Sequence, residues 1–258
     1  MEQYRDTIAA LVAAILKETK EPAVRSVPIH LLDQVYTADA GSDDSLEDLL
    51  DFISNTSEGA ITVSRKGGTP AVQVLDKVTL YLMLYSLNFN LATVDLLHWQ
   101  DFEKLVQHAL AENGYITKKN FRFTDSKGNK HEIDVVAADR QSKDHILLLI
   151  DAKHWDYRAN ASVTKIVEAA NEQFNRATEL GDDLPVLADL LFDMKLKWTS
   201  CMILPMVVTL LNPPLQNFFI PIVSILSFNG FVQEFSDNID QYKKRIVTGI
   251  PIQQRLND

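Results

Sequence analysis

The run HILLLIDAKHW, residues 145–155, limits the fold more than any other part of this sequence. From Ile146 to Ile150 every residue is apolar, with no alternation between an inward and an outward face. Such a strand has to be covered on both sides and belongs in the interior of a sheet. Two further β-rich runs precede it, ITKKNFRF and HEIDVVAA, and the polar stretches TDSKGNK and DRQSKD separate the three. Short polar turns between such runs predict an antiparallel meander. Before the meander, DLLHWQDFEKLVQHALAENGY has helical spacing, with Leu97, Phe102, Leu105, Val106, Ala109 and Leu110 on one face and Gly114 as its stop. After it, a long helix is expected over 161–180, then an amphipathic stretch to about Trp198, two apolar strands at 201–211 and 218–227, and a short helix near 237–246. Helices alternating with apolar strands predict an α/β domain over 93–258.

Residues 1–92 read as a separate, smaller domain. Residues 2–20 form an amphipathic helix with Ile8, Leu11, Val12, Ile15 and Leu16 on one face, and Pro22 and Pro28 interrupt the chain after it. Helical patches follow at 29–36 and at SLEDLLDFISN; residues 60–64 and 70–75 then flank Arg65-Lys66-Gly67-Gly68, a hairpin signal. Residues 77–91 are expected to be helical, with a boundary near Asn90 to Thr93. Helices followed by a hairpin with a basic tip have the order of a winged helix-turn-helix, in which Arg65 and Lys66 would approach DNA. A dimerisation or packing module fits the same order.

Net charge is −10, from 25 basic and 35 acidic side chains, which excludes a protein that coats nucleic acid by bulk electrostatics. Local patches remain. Residues 117–131 carry Lys118, Lys119, Arg122, Lys127 and Lys130 against one acid, Asp125, and are the candidate phosphate contacts. The single cysteine, Cys201, lies in an apolar run and reads as a buried thiol in a reducing compartment. One cysteine and six scattered histidines offer no zinc site. Met1 to Lys20 lacks the pattern of a signal peptide. The apolar segment 201–228 is broken by Asn212-Pro213-Pro214 into pieces of roughly half a membrane span each, so no membrane partner is expected and the location expected is cytoplasmic.

The chemistry gathers at the end of the meander. With the turn DRQSKD centred near 141 to 143, Asp134 lies opposite Leu149 to Asp151, and the even-spaced pairing sets Asp134 and Asp151 on one face. Lys153, two residues on, shares that face. Two carboxylates at close range repel unless a positive group stands between them. Lys153 alone can serve, and so can a hard divalent cation, since magnesium takes one or two carboxylates plus waters and phosphate oxygens.

In order, the helix segment Trp99-Gln-Asp-Phe-Glu103, the Gly-Tyr pair after it, EIDVV and LLLIDAK resemble the PD-(D/E)XK nuclease superfamily. Within it the sequence is similar to the Mrr-type restriction endonuclease and archaeal Holliday-junction resolvase branches. The resemblance covers residues 95–156 and extends to the following helix; residues 1–94 lie outside it. It implies a restriction-endonuclease-like core with Asp134 as the first acid and Asp151-Ala152-Lys153 as the triplet. It further implies Mg²⁺, for which Mn²⁺ can substitute, held by Asp134, Asp151 and the Ala152 carbonyl, with Glu103 joining directly or through water. Lys153 would orient the attacking water, and the substrate would be DNA. Three departures stand out: Ile133 replaces the proline before the first acid, Asp151 replaces the commoner glutamate, and the tyrosine of a Q-x-x-x-Y motif is absent after Gln173. Gln173, Arg176 and His154 are candidates to line the site.

The leading expectation is therefore a Mg²⁺-dependent DNA endonuclease, acting as a homodimer where both strands are cut. The alternative is a catalytically inactive nuclease fold that binds DNA or regulates. A third reading is an interaction protein in which the motif is a coincidence.

Overall fold

A computed structural model describes residues 5–37, 45–65, 69–87, 96–140, 143–154, 163–210 and 218–252. The chain forms two compact units, Met1–Phe102 and Glu103–Asp258. The boundary expected at 92/93 lies outside the described residues.

In the first unit, helix α1 (Arg5–Glu18) buries Ile8, Leu11, Val12, Ile15 and Leu16, the stripe its sequence spacing predicts. Strand β1 (Ser26–Pro28), helix α2 (Ile29–Thr37) and helix α3 (Leu46–Thr56) follow. A capping box starts α3: the Ser45 hydroxyl accepts from the Asp48 N–H, and the Asp48 carboxylate accepts from the Ser45 N–H. Strands β2 (Ile61–Ser64) and β3 (Ala71–Val74) pair antiparallel, and β1 adds to the other side of β3, giving the order β1-β3-β2. The three-residue β1 was not expected from the sequence, being too short to show a period. Helix α4 (Lys77–Ser86) begins at Asp76, whose carboxylate accepts from the Val78 and Thr79 N–H groups.

The second unit is built on a six-stranded mixed sheet. Helix α5 (Trp99–Glu112) spans the boundary between the units and ends at Gly114, whose φ of +80° suits glycine. Strands β4 (Ile116–Thr124), β5 (Lys130–Ala138) and β6 (Ile146–Lys153) form the expected antiparallel meander. Helices α6 (Val163–Asp182) and α7 (Leu184–Asp193) then cross the sheet, and β7 (Ser200–Thr209) returns parallel to β6. The run Ile146–Ile150 is thus central, between β5 and β7, and all five side chains are buried. The face carrying Leu147, Leu149 and Ile203 packs against Ala177 and Leu180 of α6 and Leu187, Leu190 and Leu191 of α7. Burying each leucine contributes roughly 1.5–3 kcal/mol.

The C-terminal quarter departs from expectation. The strand expected over 218–227 is only three residues long, β8 (Ile222–Ser224); residues 218–221 are irregular and helix α8 (Ile225–Glu234) takes over from Ile225. Ser224 caps that helix by accepting from the Leu226 N–H, so the apolar run changes conformation at a polar residue. Phe228 and Val232 are apolar because one face of α8 is buried. The helix expected near 237–246 is a 3₁₀ stretch, Phe235–Gln241, followed by β9 (Arg245–Thr248), which pairs antiparallel with the start of β7. Cys201 is a free, buried thiol. Among the described residues no helix is long and apolar enough to cross a membrane.

Candidate active site

Strand register brings the two acids together. Val135 pairs with Ile150 and Val136 with Leu149, and one further step sets Asp134 opposite Asp151 at the open end of the hairpin. Directly opposed residues of an antiparallel pair share a face. The Asp134 Oδ2 accepts the Ala152 N–H at 2.8 Å, which clasps β5 to the end of β6. Asp151 is only 3% exposed. Its Oδ1 lies 3.0 Å from the Lys153 ammonium and 3.7 Å from the Arg176 guanidinium.

Charge in this corner is unevenly compensated. Burial, then repulsion from Asp151, pushes the Asp134 carboxyl up to about 6. Burial, and after it the Asp134 charge, raises the Glu103 carboxyl to about 7. Lys119 and Lys153 oppose that rise. Glu103 therefore feels the Asp134 member of the pair electrostatically. Among the described residues, however, no three His, Cys, Asp or Glu side chains converge as a metal-binding cluster. The set of Asp134, Asp151 and Glu103 named from the sequence is thus reduced here to a facing pair with Glu103 nearby. Ala152 meets Asp134 through its N–H, and His154 sits partly buried just beyond β6.

Two α6 side chains complete the corner. Gln173 is fully buried; its Oε1 accepts from Arg176 at 3.0 Å, while its Nε2 is a buried donor with no acceptor among the described residues. The parallel register also places Thr209, 1% exposed, opposite Lys153 at the end of β7. Sequence reasoning missed Thr209, because the β6–β7 pairing is parallel and two helices intervene.

The donor set fits a hard divalent cation. Two carboxylates face one another with one held unusually hard to ionise, and magnesium needs one or two carboxylates, completing its shell with water and phosphate oxygens.

The candidate DNA contacts are differently placed. Lys118 pairs with Asp193 at 2.6 Å, Arg122 with Glu132 at 3.0 Å and Lys127 with Glu179 at 2.7 Å. Arg65 pairs with Glu47 at 3.0 Å, and Lys66 lies outside the described residues. Lys119 is partly buried on β4 and Lys130 exposed at the start of β5.

A mixed sheet whose central hairpin ends in two opposed aspartates and a lysine, flanked by helices, is a restriction-endonuclease-like core. Residues 94–177 match the family described as Restriction endonuclease, a domain family of the PD-(D/E)XK type. Two solved structures are similar at 12% identity: restriction endonuclease FokI bound to DNA, TM-score 0.38, and restriction endonuclease FokI, TM-score 0.37. Each match covers 92% of this chain, and 46% and 45% respectively of the other, so the chain spans about half the length of these structures. No curated protein matches the sequence.

Proposed function

We propose that the protein is a Mg²⁺-dependent endodeoxyribonuclease. The observation that carries this is the opposition of Asp134 and Asp151, with Lys153 at 3.0 Å from Asp151, inside the segment that matches the restriction endonuclease family. Asp134 and Asp151 would hold the ion, joined by the Ala152 carbonyl and by Glu103 directly or through water, and Mn²⁺ can substitute. Bound there, the ion supplies Lewis-acid polarisation of the phosphodiester. Lys153 orients the attacking water and offsets negative charge at the phosphorus. While no ion is bound, burial and the Asp134 charge raise the Glu103 carboxyl to about 7, a rise that a cation held beside it would relieve. The buried Gln173 Nε2 donates to a phosphate oxygen, and Arg176 holds the Gln173 amide in position.

DNA is the partner in this reading, with Lys119 and Lys130 as the phosphate contacts of the β4–β5 hairpin. The order α1-β1-α2-α3-β2-β3, with β3 between its two partners, supports a winged-helix reading of this unit. Glu47, Asp48 and Asp51 are exposed on α3, and Arg65 is occupied by Glu47. Such a face repels phosphate, so the N-terminal unit serves association between two copies rather than DNA contact. A homodimer supplies the two sites needed to cut both strands, and the protein acts in the cytoplasm.

One observation favours the alternative, a nuclease fold that binds DNA without cutting. Lys153 and Arg176 both already neutralise Asp151, as an ion otherwise would. Incubation with supercoiled plasmid, branched DNA and single-stranded DNA, with Mg²⁺ or Mn²⁺, separates the two. Cleavage that disappears in Asp151→Ala and Lys153→Ala supports the enzyme. DNA binding without nicking, with or without metal, supports the alternative.

A further inference from the structure

The face of the sheet that carries Asp151 continues beyond the acid pair. Asp151 pairs with Val207, and Val207 with Ile222, so the three residues form one row across β6, β7 and β8. Strands lie about 4.8 Å apart, which sets Ile222 about 10 Å from Asp151. On α6, Phe174 follows Gln173 directly and packs with Phe218 and Ile222 around Val207.

Ile222 is also one wall of a cavity of about 570 Å³, whose other sides include Phe218, Phe219, Phe231 and Tyr242, with Gln241 at its polar end. Phe231 and Tyr242 are tilted at 56° with centroids 5.9 Å apart, and Phe231 is backed by Phe235 at 5.6 Å. Phe219 is 64% exposed, yet its carbonyl accepts the Lys243 N–H at 2.7 Å, which ties the two segments that border the opening. The Lys243 ammonium stands 5.4 Å from the centre of the Phe174 ring, and Lys243 directly follows the lining residue Tyr242.

This chemistry suits one kind of occupant. Aromatic faces stack on any base, an amide and a phenol can meet its polar edge, and a lysine next in sequence to the lining attracts the attached phosphate. Three-residue β8 offers too few free backbone groups to template an added peptide strand. A concavity of this volume is the size of a small-ligand pocket, whereas a second copy of the chain would need roughly 800 Å² of matched surface on each side. A separation of 10 Å is about three base steps along duplex DNA.

We propose that this cavity receives a nucleobase turned out of its stack, so that the substrate is DNA with an unpaired base within about three steps of the cut phosphate. The proposal rests on the DNA-nuclease reading above and gives it a substrate class. A paired base cannot enter, because its edge is engaged and its faces are stacked; an unpaired one has already met most of the cost of extrusion.

The test uses the full chain in EDTA and 2-aminopurine as probe, placed as a single-base bulge in one duplex and opposite thymine in another. The bulged duplex is expected to bind roughly tenfold more tightly, with its fluorescence quenched on stacking. Phe219→Ala, at an exposed position where the fold does not depend on the ring, should reduce that preference to within twofold, and Phe219→Tyr should restore it. Equal affinity for both duplexes overturns the proposal. So does a preference that survives Phe219→Ala, or an effect of that change on oligomeric mass alone. Plasmid cleavage in Mg²⁺ is read separately. Cleavage without bulge preference defeats the cavity proposal alone, quenching without cleavage defeats the nuclease reading alone, and neither binding nor cleavage defeats both.

Discussion

The Asp134 carboxylate accepts the Ala152 N–H at 2.8 Å, so the same side chain that faces Asp151 also fastens the end of β6 to β5. Structural and chemical roles share one group and can be separated by substitution. Asp134→Asn keeps an acceptor for Ala152 and removes repulsion from Asp151. Asp134→Ala leaves the Ala152 N–H without its partner and should cost about 1–3 kcal/mol. We expect Asp134→Asn to melt at or above wild type at pH 8 and Asp134→Ala to melt several degrees below it. Both should lose at least about a hundredfold in plasmid cleavage. An Asp134→Ala protein that melts with wild type would show that the clasp contributes nothing.

The raised carboxyls give metal-free stability a definite pH dependence. Asp134 at about 6 and Glu103 at about 7 bind a proton more tightly folded than unfolded. Their contribution is fully present below the unfolded values near 4 and is lost as pH rises through 6 to 7. The protein in EDTA should therefore lose on the order of 1 kcal/mol per group between pH 5 and pH 8. Mg²⁺ should reverse the trend, stabilising the chain more at pH 8 than at pH 5, because it binds the ionised pair. Thermal melts at both pH values, with and without Mg²⁺, read the two slopes. A Mg²⁺ shift equal at both would count against the acid pair as its site.

How much of this was legible beforehand depends on the kind of pairing. The opposition of Asp134 and Asp151 could be read because one short polar turn fixes an antiparallel register. Thr209 could not be placed beside Lys153, because α6 and α7 intervene and no turn fixes a parallel register. The apolar stretch 218–227 looked uniform, yet Ser224 ends β8 and caps α8 within it. Likewise the basic cluster was visible as charge, whereas its neutralising acids, Asp193 and Glu179, come from α7 and α6.

That last point separates the hairpin cations into two groups. Lys118, Arg122 and Lys127 are each held by a carboxylate, and using them on phosphate means breaking an ion pair. Lys119 and Lys130 have no ion pair of this kind among the described residues. We expect Lys119→Ala with Lys130→Ala to weaken DNA binding and to lower the salt slope by up to about two. Lys118→Ala should change it by less than about one. Binding titrations from 50 to 200 mM salt would decide, and the reverse ranking would refute the division.

Gln173 sets stability against function most sharply. It is fully buried, its Oε1 is satisfied by Arg176, and its Nε2 has no acceptor among the described residues. A buried donor left unmade costs about 1–3 kcal/mol, a cost that persists in a folded protein where the group serves a ligand. Replacing Gln173 with Met keeps the volume, removes the orphaned donor and also removes the acceptor that steadies Arg176. In the absence of DNA, Gln173→Met should be as stable as wild type or up to about 1 kcal/mol more stable. Its cleavage should fall by roughly tenfold or more, because a donor to the phosphate is gone. Gln173→Glu separates the two roles: it keeps an acceptor for Arg176, adds a charge beside Asp151 and offers no donor, so it should be both less stable and inactive. Should Gln173→Met lose stability while keeping full cleavage, the amide would be holding the structure together and not meeting the substrate.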